Sequence, residues 1–143
     1  MGSLFDHEKL DVYQVELAFL TWVTDLLDVK AERRTRVGEV CDHLDRASLS
    51  VLFNTAEGNG KRQRATRAKF FDDARGSATE CAAALDALVA KRVSTATRIL
   101  EGKQMLARIV GMLTKLVNMF SDNEALRENQ REFVSKYPEH GDT

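Results

Sequence analysis

An apolar residue returns at every seventh position from Ile99 to Phe120, through Leu106 and Leu113, while Ile109 and Leu116 fill the complementary position of the same repeat. A helix carrying such a seam must lay it against other helices. The rest of the chain is patterned alike and has little to interrupt it, with one proline and eight glycines in 143 residues. That scarcity of turn and strand punctuation predicts long helices joined by short connections.

Four such helices follow. The first is expected from Asp6, as N-cap, to Val29, with Leu10, Tyr13, Leu17, Leu20, Thr24 and Leu27 on one stripe. The second runs from about Thr35 to Glu57 and ends at Gly58, and the third from about Thr66 to Val93. The fourth begins at Ser94 or Thr95 and breaks near Phe120, where Ser121-Asp-Asn-Glu124 has the form of a capping box for a short fifth helix bearing Leu126, Phe133 and Val134. The fold class is therefore all-α, an up-down-up-down four-helix bundle over residues 1–120, with a short extra C-terminal helix and tail over 121–143. Alanines at 74, 78, 82, 83, 84, 87 and 90 let a neighbouring helix approach the third closely. Phe19 and Trp22 on the first helix and Leu49 and Phe53 on the second make a second apolar face, expected at an oligomer interface. Met105, Met112 and Met119, beside the seam of the fourth, read either as a widened core stripe or as a subunit contact.

The formal net charge of −1 hides two basic stretches. Lys30 to Arg36 holds four cations, Arg33, Arg34 and Arg36 among them, against one anion, and Lys61 to Lys69 holds five cations and no anion. The remainder carries 12 cations against 21 anions, so a basic patch faces polyanions only over the ~8 Å that screening allows at physiological salt. Within the second stretch, Arg64, Arg67 and Lys69 stand in or near the first turn of the third helix, where the helix dipole disfavours cations. Lys61, Arg62, Arg64, Arg67 and Lys69, with Arg33, Arg34 and Arg36, are the candidate nucleic-acid-binding residues. No aromatic residue lies between Thr55 and Lys69, so contact would be to phosphates rather than to bases. The bland alternative is a solvated surface on a structural adaptor.

Several chemistries find no support. The stretch TAEGNGKRQR places Thr55 where a P-loop needs its first glycine and Arg62 where it needs the magnesium-binding hydroxyl. None of His7, His43 and His140 has a glutamate three residues before it, as di-iron bundles require, so no metal or other cofactor is expected. No nucleophile comes with a base, so the chain reads as a non-enzyme. No apolar run approaches membrane-spanning length, and a cytoplasmic, membrane-free protein is expected. Cys41 and Cys81 are buried thiols by default, with a disulfide as the alternative if the second and third helices form a hairpin about residue 61.

The segment from Asn54 to Glu80, with Asn54, Ala56-Glu57-Gly58, Gly60, Phe70, Ala74-Arg75-Gly76-Ser77 and Glu80, resembles the bacterial family of four-helix bundle proteins encoded in intervening sequences of 23S ribosomal RNA genes. Arg46-Ala47 and Leu10-x-Val12-Tyr13-Gln14 are similar to that family as well. Thr55, Asp73 and Thr66 depart from its usual pattern. The resemblance implies a ring-like homopentamer, association with DNA or RNA, and a protein partner such as a reverse transcriptase, since the accessory protein of diversity-generating retroelements is a relative. Within the motif, Arg46, Glu57, Arg75 and Glu80 are expected to form a structural ion-pair set alongside Ser77. Gly76, costly in mid-helix by roughly 1 kcal/mol, is expected to meet a facing backbone.

Overall fold

The computed structural model describes residues 2–28 and 31–121, with residues 31–36 described by their backbone alone. Among these residues there are four α-helices and no strand: α1 (Asp11–Leu26), α2 (Ala31–Gly60), α3 (Arg64–Ala90) and α4 (Ala96–Phe120), preceded by a 3₁₀ turn at Asp6–Lys9. The expected C-terminal helix lies outside the described residues. Connections of a few residues force each helix back along the last, and the four close into a ring in which α1 touches α2 and α4, and α3 touches α2 and α4. The α2–α3 contact is the most extensive.

The core follows the periodic pattern. Ile99, Leu106, Ile109 and Leu113 of α4 face inward, against Phe71, Ala74, Ala78 and Leu85 of α3, Leu44 and Val51 of α2, and Val12, Phe19 and Val23 of α1. Phe19 at 1% and Trp22 at 8% exposure belong to this core. They therefore correct the expected interface: α1 is apolar on so wide an arc because it meets two neighbours at once. Leu49 at 37% and Phe53 at 56% do stay outside. Met105 and Met112 pack partly buried against the core, whereas Met119 is exposed.

Helix ends differ from expectation in instructive ways. The first helix gives up its initial turn to the 3₁₀ segment and ends at Leu26. The second runs on through Gly58, which is buried: a Cβ there would sit 2.9 Å from Phe70 Cβ and 3.2 Å from the Phe71 ring, so this glycine permits α3 to come close rather than stopping α2. Near its start α2 bends at Val37, whose φ of −129° and ψ of 15° bring the side chain into the core. α3 passes unbroken through Gly76 and ends with Arg92 at φ 62°, where Val93 N–H and Ser94 N–H both return to Leu88 O. α4 is capped by Thr95, whose hydroxyl accepts from Arg98 N–H at 3.1 Å.

Gly76 corrects a second expectation. It is exposed and a Cβ on it would meet nothing within 4 Å. The tight contact is at Gly102 instead, where a Cβ would lie 2.3 Å from the Trp22 ring. Phe19 stacks on the same ring at 5.8 Å between centroids, and Arg98 covers it from α4. Cys41 and Cys81 are both buried as thiols rather than as a disulfide, and burial, with Glu80 beside it, pushes Cys81 up to about 12.

Candidate nucleic-acid interface

The antiparallel layout gathers three helix ends and the N-terminal turn at one end of the bundle: the last turn of α2, the first of α3 and the last of α4. Three residues connect α2 to α3, and Lys61 and Arg62 are exposed there beside Arg64, the first residue of α3. Asn59, 9% exposed, ties the turn down. Its amide donates to Asp6 Oδ2 at 2.9 Å, and its carbonyl oxygen accepts from Arg67 Nη2 at 3.0 Å.

The cations that looked misplaced on α3 resolve once the neighbouring helix ends are considered. Arg64 donates to Met119 O in the last turn of α4, and its guanidinium lies 5.1 Å from the Phe120 ring centroid. Arg67 donates to Lys61 O just past the end of α2, at 3.2 Å, and lies 4.5 Å from the same Phe120 ring. Both side chains begin at the positive end of α3 and finish at the carbonyl ends of α2 and α4, where a cation is favoured by roughly 0.3–1 kcal/mol. These two arginines are thus structural clamps as well as surface charge.

Lys61, Arg62 and Lys69 are left with lighter ties. Lys61 and Lys69 lie 5.1 and 5.9 Å from the Phe70 ring, and Lys69 stands 3.9 Å from Asp73 across an exposed pair. Such a pair contributes little to stability. The first turn of α3 has no acidic residue, and Gln63 makes no side-chain cap, so neither neutralises its positive end. Beside it a groove of about 460 Å³ opens between α3 and α4, with Arg64, Lys69 and Arg75 against the single acid Asp72, and with Phe120 at its wall. Aromatic surface therefore does adjoin the basic turn, from Phe70 and from a helix distant in sequence.

The second basic stretch does not join the first. Arg33, Arg34 and Arg36 fall in the opening turns of α2, before the bend at Val37 and at the opposite end of that helix from Lys61. Their side chains lie outside the described set.

The expected ion-pair set also comes apart. Arg75 donates to Asp72 on its own helix and to Thr114 Oγ1 on α4 at 3.2 Å, away from Glu80. Glu80 faces His43 at 3.4 Å with its side chain 60% exposed, so the pair is solvated. Arg46 and Glu57 are exposed and make no ion pair among the described residues. Two exposed carboxylates and two outward arginines have no reason to surrender hydration for each other. At mid-length α2 and α3 share a neutral link instead: Asn54 donates to Ser50 O at 2.9 Å and lies 3.1 Å from Ser50 Oγ, which shares a 2.9 Å hydrogen bond with Ser77 Oγ across the two helices. Ser77 thus has a structural role that its place in the motif suggested, by a different bond.

One polar residue escaped the sequence reading altogether. Glu16 is 1% exposed, and Thr55 Oγ1 lies 2.7 Å from its Oε2. Burial pushes its carboxyl up to about 8, against the opposing effect of the Thr55 hydroxyl. The signal was its place at the fourth step of the stripe Val12, Glu16, Phe19, Val23, where every other member is apolar.

Beside His43 and Glu80 a second groove, about 350 Å³, is lined otherwise by Glu39, Val40 and three alanines, with no hydroxyl or thiol. Among the described residues no three His, Cys, Asp or Glu side chains come together as a metal ion would need, and no helix is long and apolar enough to cross a membrane. No curated protein matches the chain. A family model described as 23S rRNA-intervening sequence protein matches residues 8–115, a stretch that begins in the 3₁₀ turn and extends into α4. This match, over most of the length and on a bundle of four helices, shows that the chain belongs to the 23S rRNA-intervening sequence protein family.

Proposed function

We propose that this chain is a non-enzymatic, self-associating helical bundle that binds nucleic acid, or a nucleic-acid enzyme, through the basic turn between α2 and α3. The observation that carries the reading is the setting of Lys61, Arg62 and Lys69: exposed cations around an uncapped helix start, with no acid in its first turn. Phosphate oxygens suit that setting, because side-chain charge and helix-end amides act on them together. The groove holding Arg64, Lys69 and Arg75 extends the same positive surface along α3 and α4. Such contacts read backbone rather than sequence. Repetition of the turn around a closed oligomer, five subunits by family resemblance, would supply avidity. A reverse transcriptase is the kind of protein partner that the same resemblance suggests, and the cytoplasm is the compartment this reading assigns.

Phe53, 56% exposed one turn from Leu49, favours a second reading in which the outer face of α2 recruits protein and the cations only solubilise. Salt separates the two. Retention on duplex DNA should fall with a log-log slope of about −0.9 per neutralised phosphate. The double variant Arg62→Gln with Lys69→Gln should weaken all sequences alike and flatten that slope by roughly two contacts per engaged subunit, without loss of thermal stability. Arg64 and Arg67 are left in place because they clamp helix ends. Absence of DNA and RNA binding by the unmodified chain at about 50 mM salt would leave the adaptor reading standing.

A further inference from the structure

Glu16 has nowhere to put a negative charge. It sits inside the bundle at 1% exposure, its Oε1 has no hydrogen-bond partner, and its Oε2 has one neighbour, Thr55 Oγ1 at 2.7 Å. That hydroxyl lies also 2.9 Å from Val51 O, one turn back on α2. A threonine hydroxyl owns a single proton, so it cannot donate to the carboxylate and to the carbonyl together. With Glu16 ionised, one of those acceptors goes without, and a buried anion keeps at most one hydrogen bond. With a proton on Oε2 the conflict disappears. Glu16 O–H donates to Thr55 Oγ1, Thr55 O–H donates to Val51 O, and Oε1 becomes a neutral carbonyl oxygen.

We propose that Glu16 is held as a neutral carboxylic acid, and that the relay from Glu16 through Thr55 to Val51 O is a proton-dependent latch fastening α1 to α2.

The surroundings offer the ionised form no compensation. On α3 the titratable group of the interior is the Cys81 thiol, which burial keeps neutral, and the buried residues of α4 are Ile99, Gly102, Leu106, Ile109 and Leu113. Of the charged groups at this end, Asp6 of the 3₁₀ turn and Arg67 of α3 meet at Asn59, one turn beyond Thr55, and are bonded there rather than to Glu16, with Arg67 Nε buried and unpartnered, while Lys61, Arg62 and Arg64 lie exposed. Burial accordingly raises the carboxyl from its ordinary 4.5 to about 8. Because the folded value lies above the unfolded one, the folded chain binds the extra proton between them. The contribution of Glu16 to stability is therefore fully present below about 4.5 and is lost as pH rises, its part of the unfolding constant growing up to about tenfold per pH unit until the folded acid itself ionises near 8. Above that point the chain either buries an anion or lets α1 go, and α1 carries with it the Asp6 contact that steadies the basic turn.

The full chain tests this directly. With glutamate carboxyl carbons labelled, the Glu16 signal should stay at its protonated position until about pH 8, well above the ordinary carboxyl range. In Glu16→Gln the amide N–H takes over donation to Thr55, so this variant should unfold like the unmodified chain near pH 5 and resist denaturant increasingly better above it. The ratio of unfolding constants should approach about a thousandfold near pH 8. A Glu16 signal that titrates in the ordinary carboxyl range, or parallel pH profiles for the two proteins, would overturn the latch. If Glu16→Gln does not fold, the titration of the unmodified chain still decides.

Discussion

α1 and the α2–α3 pair are joined to the bundle by different physics. Between α2 and α3 the contact is one of small volumes: Ala47, Ala74 and Ala78 are buried, Gly58 lies under Phe70 and Phe71, and at mid-length a neutral hydrogen bond joins Ser50 to Ser77. α1 instead inserts large groups, Phe19 and Trp22, and a buried acid. The first kind of contact lets backbones approach and buries no acid. The second buries more apolar area per residue but depends on a glycine to receive a ring and on a proton to neutralise a carboxyl. α1 is also the shortest of the four helices, with 16 residues against 25 or more. Loss of one anchor there removes a larger share of what holds the element.

The largest effect expected from that contrast is at Phe19. Truncation to alanine should cost about 3–5 kcal/mol in denaturant unfolding, the usual range for a fully buried phenylalanine. Phe53→Ala should leave unfolding of the single chain nearly unchanged and lower self-association seen by sedimentation. If the two variants behaved alike, Phe19 would be no more a core residue than Phe53.

Gly102→Ala comes next. The added methyl falls within the Trp22 ring, so overpacking of roughly 1–3 kcal/mol should outweigh the ~1 kcal/mol gained in helix propensity, and near-ultraviolet circular dichroism should report a displaced tryptophan. Gly58→Ala should also destabilise, by less, since its nearest contact is 2.9 Å rather than 2.3 Å. A larger loss at Gly58 would mean that α2–α3 is the less tolerant seam.

The smallest effect carries the opposite sign. Gly76 is exposed in mid-helix with open space where a side chain would go, so Gly76→Ala should raise the denaturant midpoint by about 1 kcal/mol of stability. A destabilised variant would point to a neighbour supplied by another subunit.

The four helices of the described residues, their order and nearly all inward positions of α4 were legible in the sequence, because an apolar repeat of seven with almost no proline permits few alternatives. The basic turn was legible too, since a short connection must lie at the surface. Other features needed the tertiary structure. Gly58 and Gly76 look equivalent in the sequence, yet one lies under two phenylalanines and the other faces open space, because which side of a helix a glycine occupies is set by the neighbour and not by the residue. Arg64 and Arg67 read as unfavourable charges on α3 until the ends of α2 and α4, the latter more than fifty residues away in sequence, come to meet them. Arg46, Glu57, Arg75 and Glu80 have the composition of an ion-pair network, but only packing decides which charges lose water, and these stay largely at the surface. Glu16 is the reverse case. Its charge was visible in an apolar stripe, while its proton follows from burial and from Thr55 across the helix pair, and those exist only once α1 has docked.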